Sequence, residues 1–217
     1  KVIATHTPAF DNAKQIVTLT GCPGTTAGSF LEFATDTPLN AYVRRPPRSN
    51  NATAILNRAT LGTGISYSMG TATLGATSIF NVQKGGNVTD TPTLVLSGLA
   101  LTAGGAGTTT LRPTTANLLI TGGVSSASNF AKTLELQGSG SANEISGIVS
   151  NGQNVVTLLK SGDSTWTLSG ANTYTGPTTV RQGTLILSGA RTGTSGTITV
   201  SDTAATDAIL TITDGTY

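Results

Sequence analysis

From about Thr91 onward, apolar residues fall two positions apart in short runs, and Gly, Ser or Asn cuts each run. The runs are TPTLVLSG (91–98), ANLLITGG (116–123), KTLELQGSG (132–140), NVVTLLKSG (154–162), STWTLSG (164–170), TTVRQGTLILSG (178–189), GTITVS (196–201) and AILTITDG (208–215). Leu94 with Leu96, Leu134 with Leu136, and Leu185 with Leu187 set the period. A period of two puts such side chains on one side of an extended chain, so each run predicts a strand buried on one face. No comparable stretch repeats apolar residues at helical spacing.

The runs also resemble one another. Leu-Ser-Gly recurs at 96–98, 168–170 and 187–189, with the related endings ITGG, LQGSG and ITDG between. Imperfect repetition at roughly 20 to 30 residues is the spacing of a solenoid. Asn-Gly occurs once, at Asn151-Gly152, and Asp-Gly once, at Asp214-Gly215, so tight hairpins are poorly signalled. The pattern predicts an all-β chain coiled as a parallel β-helix, with an antiparallel β-sandwich left open because strand spacing overlaps. Residues 91–217 are expected to form its coils. Residues 1–90 are an irregular β-rich part, either early coils or a cap. There KQIVTLTG (14–21) and GSFLEFATD (28–36) read as strands, and ATAILNRATLG (52–62) reads equally as helix or strand. Ile65, Tyr67 and Met69 resume the alternation after a longer insertion around 37–52.

Composition agrees with the pattern. Only 10% of the 217 residues are charged, against roughly a quarter in an average soluble protein. Threonine and other β-branched residues suit a pleated surface, and Gly, Asn, Asp and Ser supply turns. Net charge is +2, and Arg44, Arg45 and Arg48 around Pro46 and Pro47 have no interleaved aromatics, so a solvated loop is expected and nucleic-acid binding is not. Cys22 is the one cysteine and His6 the one histidine. An internal disulfide is excluded, a Cys/His metal site lacks ligands, and no cofactor is implied. No run is apolar enough to span a membrane as a helix. The chain starts without Met and stops in mid-pattern at LTITDGTY, which favours a fragment of something longer.

Within the coils, LLKSGDSTWTLSGANTYTGPTTVRQGTLIL (158–187) can be read as one unit. Its spaced positions are Leu158, Lys160, Gly162, Trp166, Leu168, Ser169, Gly170, Asn172, Tyr174, Gly176, Thr179, Val180, Gly183, Leu185 and Leu187. The unit resembles the autotransporter-associated β-strand repeat of bacterial passenger domains and large secreted surface proteins. It departs from that pattern at Ser164, where a second glycine is usual, and at Pro177, which lacks an N–H and belongs at a turn. The resemblance covers about thirty residues closely. It implies a right-handed parallel β-helix, exported and displayed on or released from the cell surface, and it transfers no catalytic residue. As repeat-defining positions it marks Lys160, Gly162, Trp166, Leu168, Gly170, Asn172, Tyr174, Gly176, Val180, Gly183, Leu185 and Leu187.

The residues read the same way on their own. Trp166 and Leu168 should share a face, as should Leu185 and Leu187. Gly162, Gly170, Gly176 and Gly183 fit corners, and Asn172 suits a corner hydrogen bond or an asparagine ladder. Trp166 reads as core or half-buried rather than as a carbohydrate platform. Three functions compete. A structural or adhesive surface protein follows from low charge and repetition; its partners would be a surface glycan, a host cell, or a second copy met through the open ends or edges. A polysaccharide-binding or polysaccharide-degrading β-helix would need clustered carboxylates, and Asp202 with Asp207 reads as a solvated loop instead. Thr-x-Thr pairs at Thr71/Thr73, Thr165/Thr167, Thr197/Thr199 and Thr211/Thr213 suggest ice binding only if they stack in register.

Overall fold

The computed structural model describes residues 2–5, 29–36, 39–41, 51–102, 104–193, 196–201 and 207–213. His6, Cys22, the run 14–21, the Arg44–Arg48 group, Asp202 and Asp214 lie outside these residues. The described chain runs β1 (Val2–Thr5), β2 (Ser29–Ala34), β3 (Leu39–Ala41), β4 (Asn51–Asn57), β5 (Tyr67–Leu74), β6 (Ser78–Lys84) and β7 (Thr93–Leu101). It continues through β8 (Gly107–Pro113), β9 (Asn117–Ile120), β10 (Val124–Ser126), β11 (Lys132–Leu136), β12 (Asn143–Ile145) and β13 (Val149–Gly152). Then follow β14 (Val156–Lys160), β15 (Thr165–Leu168), β16 (Thr178–Val180), β17 (Gly183–Leu187), β18 (Ile198–Val200) and β19 (Ala208–Ile212).

These strands make a β-solenoid. Its first face is a nine-stranded sheet in the order β1-β2-β4-β6-β8-β11-β14-β16-β18. Tyr67–Met69 of β5 stack on Leu94–Leu96 of β7, and β9, β12, β15, β17 and β19 extend that second face. The later halves of β5 and β7 stack separately and lead to β10 and β13, a third face. Every strand pairing among the described residues is parallel, which excludes the antiparallel sandwich. Among the described residues six turns, beginning at β4, β6, β8, β11, β14 and β16, visit all three faces. The last two make the third contact through the Asn172–Arg191 bridge. Partners on the first face lie 31 residues apart at Ser78 and Thr109 but 20 apart at Thr178 and Ile198, so the turns tighten from β6 onward.

From β4 to β17, alternation puts one side of the strands into a narrow core. Leu111, Leu136, Leu158 and Val180 fill it from the first face, and Ile120, Ile145, Leu168 and Leu187 from the second. Within the segment at 52–62, ambiguous by sequence, the residues up to Asn57 form strand β4: Ala52, Ala54 and Leu56 point inward at period two. Three of its side chains reach the core only in an extended chain, which decides the ambiguity. Tyr67 and Met69 are buried in β5, and Ile65 packs against the same core. Among the described residues, no helix is long and apolar enough to cross a membrane.

Candidate functional site

The turn that begins at β14 shows how the spaced positions of 158–187 work. β14 carries Leu158 and Lys160 inward, and both are fully buried. The chain then turns at Gly162, with φ +67. The Lys160 ammonium closes that corner by donating to the carbonyl oxygens of Ser161 (3.0 Å), Gly162 (2.6 Å) and, in the next turn, Gln182 (2.9 Å). Burial pushes its pKa down to about 8, against a weaker upward pull from Asp163. Gly183, with φ +68, lies directly over this corner. A Cβ there would sit 2.4 Å from the Gly162 carbonyl oxygen and 2.8 Å from the Lys160 nitrogen. Lysine and glycine are therefore a matched pair across two turns.

β15 presents Trp166 and Leu168 to the core, both with no exposed surface. Trp166 is stacked in register between Asn143 and Leu185, so the ring is core filling and offers no carbohydrate platform. Its Nε1–H donates to the Gln137 carbonyl at 3.0 Å, giving the buried indole the partner it needs. At the next corner Gly170 lies against its neighbours in the stack: a Cβ on it would meet the Gly147 oxygen at 2.3 Å, and one on Gly189 the Gly170 oxygen at 2.1 Å. This close approach explains the recurrent Ser-Gly. The Ser188 and Gly189 N–H groups share the Leu168 carbonyl, both at 3.1 Å.

Asn172 holds the third face by accepting from the Val149 N–H at 2.9 Å and donating to the Gly170 carbonyl at 2.8 Å. Its bridge partner in the next turn is Arg191, so there is no asparagine ladder at this position. Tyr174 is buried, and its hydroxyl lies 2.7 Å from Thr178 Oγ1. Desolvation raises its pKa. The Arg191 guanidinium stacks 4.9 Å from the Tyr174 ring centre and donates to the carbonyls of Gly176 and Gly196, a partly desolvated cation–π contact. Val180, Leu185 and Leu187 complete the wall. Pro177 sits at the turn into β16, where its carbonyl accepts from the Leu158 N–H. Ser164 is fully buried with an unpartnered hydroxyl.

Three polar contributors went unrecognised in the sequence. Lys132 is buried at the head of β11 and donates to the Gly105 carbonyl; desolvation lowers its pKa. Period two was the available signal, since Lys132 alternates with Leu134 and Leu136. Asn143 bonds Leu118, Gly140 and Thr165 main-chain groups from inside the core. Arg191 gave no local signal, because Tyr174 and Gly176, which it meets besides the nearby Gly196, lie in the preceding turn. The Thr-x-Thr pairs do not stack on one another: Thr167 faces Glu144 and Ile186, and Thr71 and Thr73 face Gly98 and Ala100. Among the described residues no group of three or more His, Cys, Asp or Glu is placed to hold a metal.

Lys160, Trp166, Asn172 and Tyr174 thus direct their polar atoms to main-chain or Thr178 partners inside the fold, an arrangement that builds a scaffold. Comparison with known proteins agrees with the geometry. Residues 158–187 match the family described as Passenger-associated-transport-repeat. An 81-residue stretch, 36% of this chain, is 40% identical to the Adhesin BmaC autotransporter of Brucella suis biovar 1 (strain 1330). The matched stretch is 2% of that relative's length. No solved structure matches significantly.

Proposed function

We propose that the chain is one stretch of an exported, non-enzymatic adhesive protein of the bacterial surface, with the solenoid as a stiff spacer and contact surface. The observation that carries this reading is the coincidence of the matched repeat with a continuous piece of the coil, from β14 through β17, in which Lys160, Trp166, Asn172 and Tyr174 turn inward. The partial identity to an autotransporter adhesin supports the adhesive role. A surface glycan or a host-cell component is the partner class this role calls for. Val200 and Ile212, which continue the inward positions of Val180 and Leu187, are exposed on β18 and β19, which supports contact with a second copy over them.

The test is binding of beads coated with the folded chain to host epithelial cells and to matrix proteins, beside beads coated with heat-unfolded chain. Saturable binding of the folded chain alone is expected. Absence of binding to every surface, combined with release of sugars from a polysaccharide panel, would replace this reading with a degradative one. For the second copy, sedimentation velocity over a wide concentration range should show reversible association, and a monomer throughout removes that part.

A further inference from the structure

The single Asn-Gly pair, Asn151-Gly152, signals no hairpin: it closes a parallel strand. The register of β10 against β13 passes from Ser125↔Ser150 to Ser126↔Gly152, so Asn151 is the extra residue of a bulge. The bulge aims its side chain at the following turns. Asn151 Oδ1 accepts from the N–H groups of Val156 (3.1 Å) and Thr175 (3.0 Å), and Nδ2 donates to Thr175 Oγ1 at 2.8 Å. Gly152 is solvent-exposed with φ +62.

An asparagine followed by glycine is chemically labile because no side chain shields the glycine nitrogen. That nitrogen attacks Cγ, the C–Nδ2 bond breaks, and ammonia leaves a five-membered imide. Water then opens the ring on one side to aspartate or on the other to isoaspartate, with no oxidant or other reactant required. The native clamp opposes the first step, since Cγ cannot swing toward the Gly152 nitrogen without breaking three hydrogen bonds. The same clamp has a preference for products. Two main-chain N–H donors already converge on Oδ1, and a hydroxyl can donate as well as accept, so an aspartate carboxylate fits where the amide was. Isoaspartate adds a methylene to the main chain inside the bulge and takes Gly152 off its partner Ser126.

We propose that Asn151 is a self-modification site: protected while folded, converted while the chain is unfolded, with a pocket that accepts the aspartate product and rejects isoaspartate. The experiment incubates the chain at pH 8.5 folded and in urea, and follows conversion at Asn151 by peptide mass spectrometry that separates the two isomers. Conversion in the fold is expected to be at least ~10-fold slower, since it must proceed through local opening. After dilution from urea, the soluble refolded fraction should contain aspartate and exclude isoaspartate. An Asn151→Asp variant should melt no lower than the parent at pH 7, while Asn151→Ala melts lower. Equal conversion rates in the two states, isoaspartate in the refolded fraction, or an Asn151→Asp variant no more stable than Asn151→Ala would each overturn the proposal.

Discussion

Three carbonyl oxygens converge on the Lys160 nitrogen, and only the ammonium has a hydrogen for each. Lys160→Met removes these donors and leaves corner carbonyls unpaired, at about 1–3 kcal/mol for a buried group. Relief of a buried charge offsets part of that, so a net loss of about 2 kcal/mol in urea unfolding at pH 7 is expected. The pH dependence has a definite sign. With a folded pKa of about 8, below the roughly 10.4 of an unfolded lysine, the native state binds fewer protons between those values. Stability relative to Lys160→Met should therefore rise from pH 8 to about pH 10.4, and a difference that is flat or falls there contradicts the assignment. Gly183→Ala should cost ~2 kcal/mol or more, because φ +68 and the Gly162 oxygen both exclude a Cβ. Ser164→Ala points the other way. It deletes a buried hydroxyl with no partner, and a gain of up to about 1 kcal/mol would explain why a smaller residue serves at this position in the repeat pattern.

At the scale of strands, Trp166 gives both a perturbation and a probe, being the one tryptophan in the chain. Its emission should be blue-shifted in the fold and red-shift on unfolding in step with circular dichroism. Trp166→Ala should destabilise by about 3–5 kcal/mol through cavity formation; Trp166→Phe should cost less and leave the Gln137 carbonyl without its donor. Strands with leucine at inner positions two apart or beside another aliphatic residue, such as β11, β14 and β17, are legible from spacing alone. β8 was missed because Thr108–Thr110 shows no apolar alternation: Thr109 points inward, yet meets the core with a hydroxyl bonded to the Gly75 carbonyl. β10, β12 and β13 are too short to display a period. The run at 91–98 reads as one strand, yet β7 passes through Ser97-Gly98 onto a third face; the run at 178–189 divides at its expected corner, with β16 ending at Val180 and β17 starting at Gly183. Corners were legible as glycines but their contents were not, since Lys160 with Gln182, or Tyr174 with Arg191, meet only after the turns stack.

For the whole molecule, stacking means that each turn touches chiefly its two neighbours, so stability should be nearly additive over turns. The register makes this testable. Leu158 pairs with Thr178 and Leu134 with Leu158, so removing residues 158–177 joins Thr157 to Thr178 and lets the hybrid strand take its place over β11. Val180 then covers Leu136, and Leu185 and Leu187 fall over Asn143 and Ile145, as Trp166 and Leu168 did. This deletion should fold, keep its β-sheet spectrum, melt cooperatively at a somewhat lower temperature, and shorten the particle by roughly one strand spacing, ~4.8 Å, in small-angle scattering. Removing residues 158–167 takes half a turn: it joins Thr157 of β14 directly to Leu168, so a first-face strand runs on into what is left of the second face and the following turns lose their register. Because a turn out of phase brings outward residues into the core, that variant should show no cooperative melt. Equal behaviour of the two deletions would mean that the turns are not the units that carry the fold.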